Sequence, residues 1–226
     1  MQQYYYDNSR PAIFPPATRH LLIINFLVFV MAVINQEFVI KYLAMFYPGS
    51  PYFRIWQPLT YMFAHTEFWH IFLNMYSLFI FGSVLERVIG SRKMLVYYIL
   101  CGLGAAAVHT LVLWLQASHF GASGNMAAYY SLLGTPTLGA SGSVYGLLIG
   151  YGMIYPESVL TLIFPPVSLK AKWFVAIFAV IELLTGVFMT SDGVAHFAHL
   201  GGMLFGALLI LFWKRTRRLY DEDRWI

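Results

Sequence analysis

Charge is the scarcest property of this chain. Only 11% of its 226 residues are Asp, Glu, Lys or Arg, against about 25% in a soluble domain. A water-exposed surface cannot be dressed at half that density, so most of the exterior is expected to face lipid. Cysteine is also nearly missing. Cys101 stands alone inside an apolar run, which excludes a disulfide framework. Residues 1–19 lack the short apolar core and small-residue cleavage site of a signal peptide. They are polar, aromatic and broken by Pro11, Pro15 and Pro16. They are expected to form a short cytoplasmic segment, and the first spanning helix to serve as an uncleaved targeting signal.

Apolar residues are abundant, at 59% of the chain, with 18% aromatic. Runs near the length that crosses a hydrocarbon core, about 20 residues, occur at roughly 20–40, 69–89, 93–116, 139–155, 171–190 and 195–213. Open sheet edges do not survive in lipid, so these runs are expected to be helices. The expected fold is an all-α membrane protein with a six-helix domain over 20–213 and a basic cytoplasmic tail over 214–226. Twelve of the fourteen Lys and Arg fall on the face that would hold both termini and the 2–3 and 4–5 loops; only Lys41 and Arg54 fall on the other. That bias predicts an N-in, C-in topology. The basic tail after Trp213 is then expected to meet anionic lipid headgroups rather than nucleic acid.

The fourth run differs from the rest. From Ser141 to Tyr155 it offers about 15 residues, ~22 Å at 1.5 Å per residue, against a core of about 30 Å. If it ends at the cytoplasmic surface near Pro156, its start stops below the outer surface, and the loop 117–138 must descend to meet it. Such backbone is tolerated only inside protein or beside water. A helix start presents free N–H groups.

Polar residues within spans are functional candidates. Gly139-Ala140-Ser141-Gly142-Ser143-Val144-Tyr145-Gly146 opens the short helix, and Gly142, Gly146 and Gly150 recur every four residues. The last span reads Ala198-His199-Leu200-Gly201-Gly202, with Gly202 and Gly206 at +3 and +7 from His199 and therefore on its face. Small-residue stripes let helices approach closely. Packing the two would bring Ser141 to an imidazole, the base a serine hydroxyl needs to become a nucleophile. The second span carries His70 and Asn74, i and i+4 on one face. With the Ser141 N–H they form a candidate oxyanion site.

These segments resemble the rhomboid family of intramembrane serine proteases, in its bacterial-type six-helix form. The likeness covers about residues 20–213. It rests on H-x-x-x-x-H-x-x-x-N (His65, His70, Asn74), G-x-S-G-x-x-Y (Gly139 to Tyr145) and A-H-x-x-G-x-x-x-G (Ala198 to Gly206). Three motifs in order on spans two, four and six are far more specific than any one. The resemblance implies a Ser141–His199 dyad, an oxyanion hole of His70, Asn74 and the Ser141 amide, and Tyr145 stacked beside His199. Gly139, Gly142, Gly202 and His65 support the site. It implies no cofactor and no metal. The implied partners are membrane lipids and transmembrane protein substrates, which enter sideways from lipid near span five and the 190–194 loop. The implied setting is a bacterial inner membrane with the site open to the extracytoplasmic side. Arg54, Trp56 and the Glu86–Arg87 pair also look like family features, although Ile55 separates Arg54 from Trp56.

Several of these residues also admit other readings. Ser141 is also a candidate helix N-cap. Ser123 repeats the Gly-Ala-Ser-Gly tetrapeptide without the following Tyr and Gly, and reads as a turn. His196 competes with His199 but lacks glycines at +3 and +7; it is expected to support the helix start. His65 is expected to bond structurally near the membrane surface, and His20, His109 and His119 have no partner pattern. Glu182, mid-span on the fifth helix, receives no catalytic role. A metalloprotease built on His65, His70, His196 and His199 lacks H-E-x-x-H, with Glu67 at the wrong offset. A transporter would carry paired broken helices in an inverted repeat. A dead relative that only binds clients would lack the serine or the histidine.

Overall fold

The computed structural model describes residues 14–161, 166–188 and 195–219. The segment 1–13, most of the expected N-terminal stretch, lies outside the described residues, as do Pro165, the 190–194 connection and the end of the basic tail. Among the described residues, five helices are long and apolar enough to cross a membrane, and a sixth, Ser141–Ile154, is apolar but shorter.

Helix α1 (Pro16–Ile34) begins four residues before the expected boundary. Proline is suited to the first helical turn, where its missing N–H is not needed. The next two N–H groups, of Ala17 and Thr18, donate to the carboxylate of Glu86 at 2.8 and 2.7 Å. The helix also stops earlier than residue 40. Asn35 (φ −148°) leaves helical geometry, and its side chain accepts from Phe38 N, starting the separate helix α2 (Gln36–Leu43). That is the usual work of an asparagine N-cap.

The short helix α3 (Gln57–Thr60) and a 3₁₀ turn at Tyr61–Phe63 lead into the second span. It consists of α4 (Phe68–Ser77) and α5 (Ser83–Ile89), joined through a π-helical turn at Leu78–Gly82. Helix α6 (Ser91–Ala122) is 32 residues long and passes the expected end at 116, because nothing breaks it before Gly124 (φ +72°). At ~48 Å it exceeds the hydrocarbon thickness. Helix α7 (Met126–Gly134) then turns back toward the bundle.

After α8 (Ser141–Ile154) comes a departure from all-helical structure. A hairpin of β1 (Val159–Thr161) and β2 (Ser168–Lys170) pairs antiparallel, Leu160 opposite Leu169. Beside it, Glu157 accepts from Lys170 at 2.7 Å and from Lys172. These two lysines hold the Glu157 carboxyl at about 2. Helices α9 (Ala171–Phe188) and α10 (His196–Arg215) complete the bundle. Its described helices therefore run from Pro16 to Arg215, past both expected boundaries at 20 and 213.

The spans are not equally embedded. Half of the α10 span is buried within the protein, against 28% of α1 and 22% of α9. The centre of the bundle is thus α10 with α6 and α8, and α9 is a peripheral helix. Packing at the centre is set by small residues. A Cβ on Gly202 would collide with the Gly142 carbonyl, and one on Gly206 would lie 2.9 Å from the Gly146 carbonyl. The glycine stripes of α8 and α10 therefore meet. Gly142 and Gly146 also face Ala105 and Cys101 of α6, so α8 is clasped from two sides.

Candidate active site

The segment before α8 is tied down at three points. Met45 and Thr137 exchange N–H···O bonds of 2.8 Å, Gly139 N donates to Tyr61 O at 3.0 Å, and Ala140 N donates to His65 Nε2 at 3.2 Å. Irregular backbone inside a membrane bundle needs such partners. Gly139 adopts φ +124° with the His70 ring against its α-carbon; a Cβ there would sit 2.7 Å from Nε2. No other residue type fits both demands. His65 is buried and serves as the acceptor, and its burial beside His70 pushes its imidazole down to about 3.

Ser141 is the first residue of α8, and the N-cap position belongs to Ala140. The N-cap alternative for Ser141 is thereby corrected: the chain enters α8 through Ala140 in helical geometry (φ −74°, ψ −7°), leaving the serine within the first turn. Its hydroxyl lies 2.8 Å from His199 Nε2. Ser141 is half-buried and His199 is 8% exposed, so the serine is the more accessible of the two. Tyr145, one turn after Ser141, stacks on His199 with ring centroids 4.3 Å apart and planes at 11°. Such a contact fixes the plane of the imidazole.

His70 and Asn74 lie on one face of α4, and His70 sits against Gly139, two residues before the serine. The Asn74 amide donates to His70 O at 2.8 Å. An amide carries two hydrogens, so this bond does not exhaust it. Arg54 and Trp56 lie elsewhere: Arg54 Nη1 donates to the carbonyls of Pro51 and Phe53, and Trp56 Nε1 to Tyr42 O. Both stitch the loop before α4. Glu86 accepts from Thr18 and Ser91 hydroxyls as well as from the start of α1. His109 pairs with Thr137 at 2.9 Å. Ser123 is the C-cap of α6, in keeping with a turn role.

Glu182 is the residue that sequence reasoning left without a role. It projects from α9 into the bundle, 6% exposed. Its Oε2 lies 2.7 Å from His196 Nδ1 and 2.9 Å from His199 Nδ1, and its other oxygen accepts from the Tyr145 hydroxyl. The contact to His199 is at ion-pair distance, although the ring N–H does not point straight along it. An ionisable residue mid-span was the available signal; which way α9 turns it was not. Glu182, His196 and His199 also place three potential ligand atoms within 4.8 Å. The four histidines of the metal reading are not so gathered: His65 and His70 belong to the other side of the site, beside Gly139 and Ala140.

A membrane bundle with a serine–histidine contact at its centre is the class of structure these features define. The chain belongs to the rhomboid family: the family's rhomboid domain matches residues 52–216, well over half of the sequence. Rhomboid protein 1, mitochondrial, of Saccharomyces cerevisiae is 29% identical over 169 residues, covering 72% of this chain and 45% of the relative. RHOMBOID-like protein 12, mitochondrial, of Arabidopsis thaliana is 28% identical over 200 residues, covering 88% and 57%. Rhomboid protease GlpG of Yersinia pestis (strain Pestoides F) is 28% identical over 204 residues, covering 88% and 62%. The chain thus spans about half to three fifths of the length of these relatives. Family and helices together make it an integral, multi-pass membrane protein.

Proposed function

We propose that this chain is an intramembrane serine endopeptidase that hydrolyses peptide bonds in or near transmembrane segments of membrane proteins. The carrying observation is the 2.8 Å contact between His199 Nε2 and Ser141 Oγ, made by residues from two helices locked together through glycine. His199 takes the Ser141 proton on Nε2 as Oγ bonds to the scissile carbonyl carbon. The carbonyl oxygen becomes an oxyanion, stabilised by His70, Asn74 and the Ser141 N–H. Collapse breaks the C–N bond, and the proton on Nε2 passes to the departing amine. Water, giving a proton to His199 Nε2, then attacks the acyl carbon; collapse breaks the C–Oγ bond, the proton on Nε2 returns to Ser141 Oγ, and the acid is released. Tyr145 holds the imidazole plane throughout, and Gly139, Gly142, Gly202 and His65 hold the backbone that carries it.

Topology follows from the same reading. On this reading six spans put both termini on one side, and the Lys and Arg bias assigns that side to the cytoplasmic face of a bacterial inner membrane. The 14 residues of α8 reach ~21 Å, so Ser141 lies below the outer surface and draws water from that side. Substrate enters from lipid along α9 and the 190–194 connection. A membrane helix hides its carbonyls, so small or helix-breaking residues near the cleaved bond are favoured.

The test is fluorophosphonate labelling of the purified full-length protein in detergent. Labelling is expected for the wild type and lost in Ser141→Ala and His199→Ala. Persistence in His199→Ala would sink the dyad. The Glu182, His196 and His199 cluster supports one alternative, a metal-dependent hydrolase; inhibition by a chelator with no labelling by the probe would select it.

A further inference from the structure

Glu182 calls for an explanation beyond packing. A carboxylate in the middle of a lipid-facing helix is expensive and persists only where partners take up its charge. Among the described residues of α9 it is the only ionisable group within the span beyond its first turn. Among the described residues its side-chain partners all lie at the candidate catalytic centre: Tyr145 on α8, and His196 and His199 on α10. Thr185, one turn on, adds a 3.0 Å contact to the same His196 nitrogen.

The proton inventory of His199 gives this arrangement a chemical meaning. A neutral imidazole carries one proton, on either Nδ1 or Nε2. With the proton on Nε2, the ring has no lone pair for the Ser141 hydroxyl and cannot act as its base. With the proton on Nδ1, Nε2 is the acceptor that faces Ser141 at 2.8 Å. The group beside Nδ1 therefore decides which form is present. In this protein that group is a carboxylate oxygen at 2.9 Å. When Ser141 gives up its proton, both nitrogens carry protons, and the adjacent negative charge stabilises the imidazolium. Catalytic hydrogen bonds are often poorly aligned before substrate binds, so the oblique Nδ1–H is compatible with this role.

Resting on the serine-hydrolysis reading above, we propose that Glu182 is a positioning residue for His199, extending the dyad into a Ser141–His199–Glu182 triad carried by α8, α10 and α9. Glu182 keeps its own charge and takes no proton from the ring. It fixes the Nδ1–H tautomer and, through the Tyr145 hydroxyl, also holds the ring stacked on His199. His196 shares the carboxylate and keeps it from turning toward lipid. The third member of the triad thus sits on the least embedded of the described spans, so the orientation of His199 depends on α9 being docked.

The experiment uses the full chain in detergent, with Glu182→Gln as the near-isosteric change. Cleavage of a fluorogenic transmembrane peptide gives kcat and KM, a fluorophosphonate gives the labelling rate, and a thermal melt reports folding. Removing the charge of a triad carboxylate while keeping its shape costs about 10⁴ in kcat elsewhere. Here Tyr145 still clamps the ring, so kcat is expected to fall at least about 100-fold with KM within about threefold. Glu182→Asp is expected to recover part of that loss. A Glu182→Gln protein with wild-type melting and kcat within about threefold would overturn the proposal and leave the Ser141–His199 reading intact. If instead the wild type is not labelled, or Ser141→Ala still cleaves, the hydrolase reading itself has failed. Should Glu182→Gln not fold, ¹⁵N spectra of histidine-labelled wild type decide: an Nδ1–H tautomer at His199 is expected, and an Nε2–H tautomer overturns the triad.

Discussion

Gly202→Ala is the most exacting perturbation of this bundle. It adds one methyl group at the point where α10 rests on α8. That Cβ would fall inside the van der Waals envelope of the Gly142 carbonyl, with the Gly142 carbonyl carbon 2.7 Å and its α-carbon 3.2 Å away. The obstacle is backbone, so no rotamer change relieves it, and the helices must separate by on the order of 1 Å to restore ordinary contact. Overpacking of this kind costs about 1–3 kcal/mol, and the upper end applies where only rigid backbone is available to move. The catalytic consequence is larger than the structural one. Ser141 precedes Gly142 by one residue, and His199 precedes Gly202 by one turn, so separation at this contact opens the 2.8 Å approach of Oγ to Nε2. A 1 Å misplacement can cost about 10² in rate. Gly202→Ala is therefore expected to lower the melting temperature and to slow fluorophosphonate labelling about 100-fold, measured per folded molecule. Gly121→Ala is the matched control, because nothing lies within 4 Å of its Cβ. It should leave labelling unchanged and gain up to about 1 kcal/mol from helix propensity. Wild-type labelling and melting in Gly202→Ala would refute the close-contact argument.

Three further outcomes follow from other contacts. His65 is pushed down to about 3 in the folded protein by burial beside His70, against about 6.5 when unfolded. The unfolded chain thus takes up the proton first, and stability is full above about pH 6.5 and falls as pH drops toward 3. His65→Gln keeps an acceptor for the Ala140 N–H and should flatten the acid limb of a melting-temperature profile. Tyr145→Phe keeps the ring stacked on His199 and should retain labelling within about tenfold, whereas Tyr145→Ala, which gives up a stack worth about 0.5–1.5 kcal/mol and frees the imidazole plane, should lose far more. Glu86→Ala removes the acceptor for Ala17, Thr18 and Ser91; it should destabilise by about 2–4 kcal/mol, read by thermal melting, with labelling per folded molecule unchanged.

How much of this was legible in the sequence depends on what kind of information each feature needs. The apolar runs and the brevity of the fourth need only hydropathy and length, and they locate the helices well except at their ends. The ends went astray where a side chain distant in sequence intervenes. Glu86 caps α1 from 69 residues away, so no local pattern could move the start from 20 to Pro16. The glycine stripes were legible because a four-residue repeat of small side chains has one packing consequence: close approach of another helix. That Gly142 and Gly146 also face Ala105 and Cys101 of α6 needs the rotation of α8, which the repeat does not carry.

Glu182 marks where periodicity stops being informative. On α9 its neighbours in sequence, Ile181 and Leu183, are exposed, and nothing in their order separates a lipid face from a bundle face. A cost argument does separate them. An ionised carboxylate turned toward lipid would be unpaired, and the penalty for burying a lone charge outweighs any packing preference of a helix this loosely embedded. The rotation of α9 is therefore fixed by its one mid-span acid rather than by its apolar residues. Of the groups facing it, His196 and His199 lie three residues apart on the first turn of α10, and both reach the same oxygen. The pattern to look for in such a chain is thus paired: an A-H-x-x-G-type histidine on one span, and a lone acid mid-span on the helix before it.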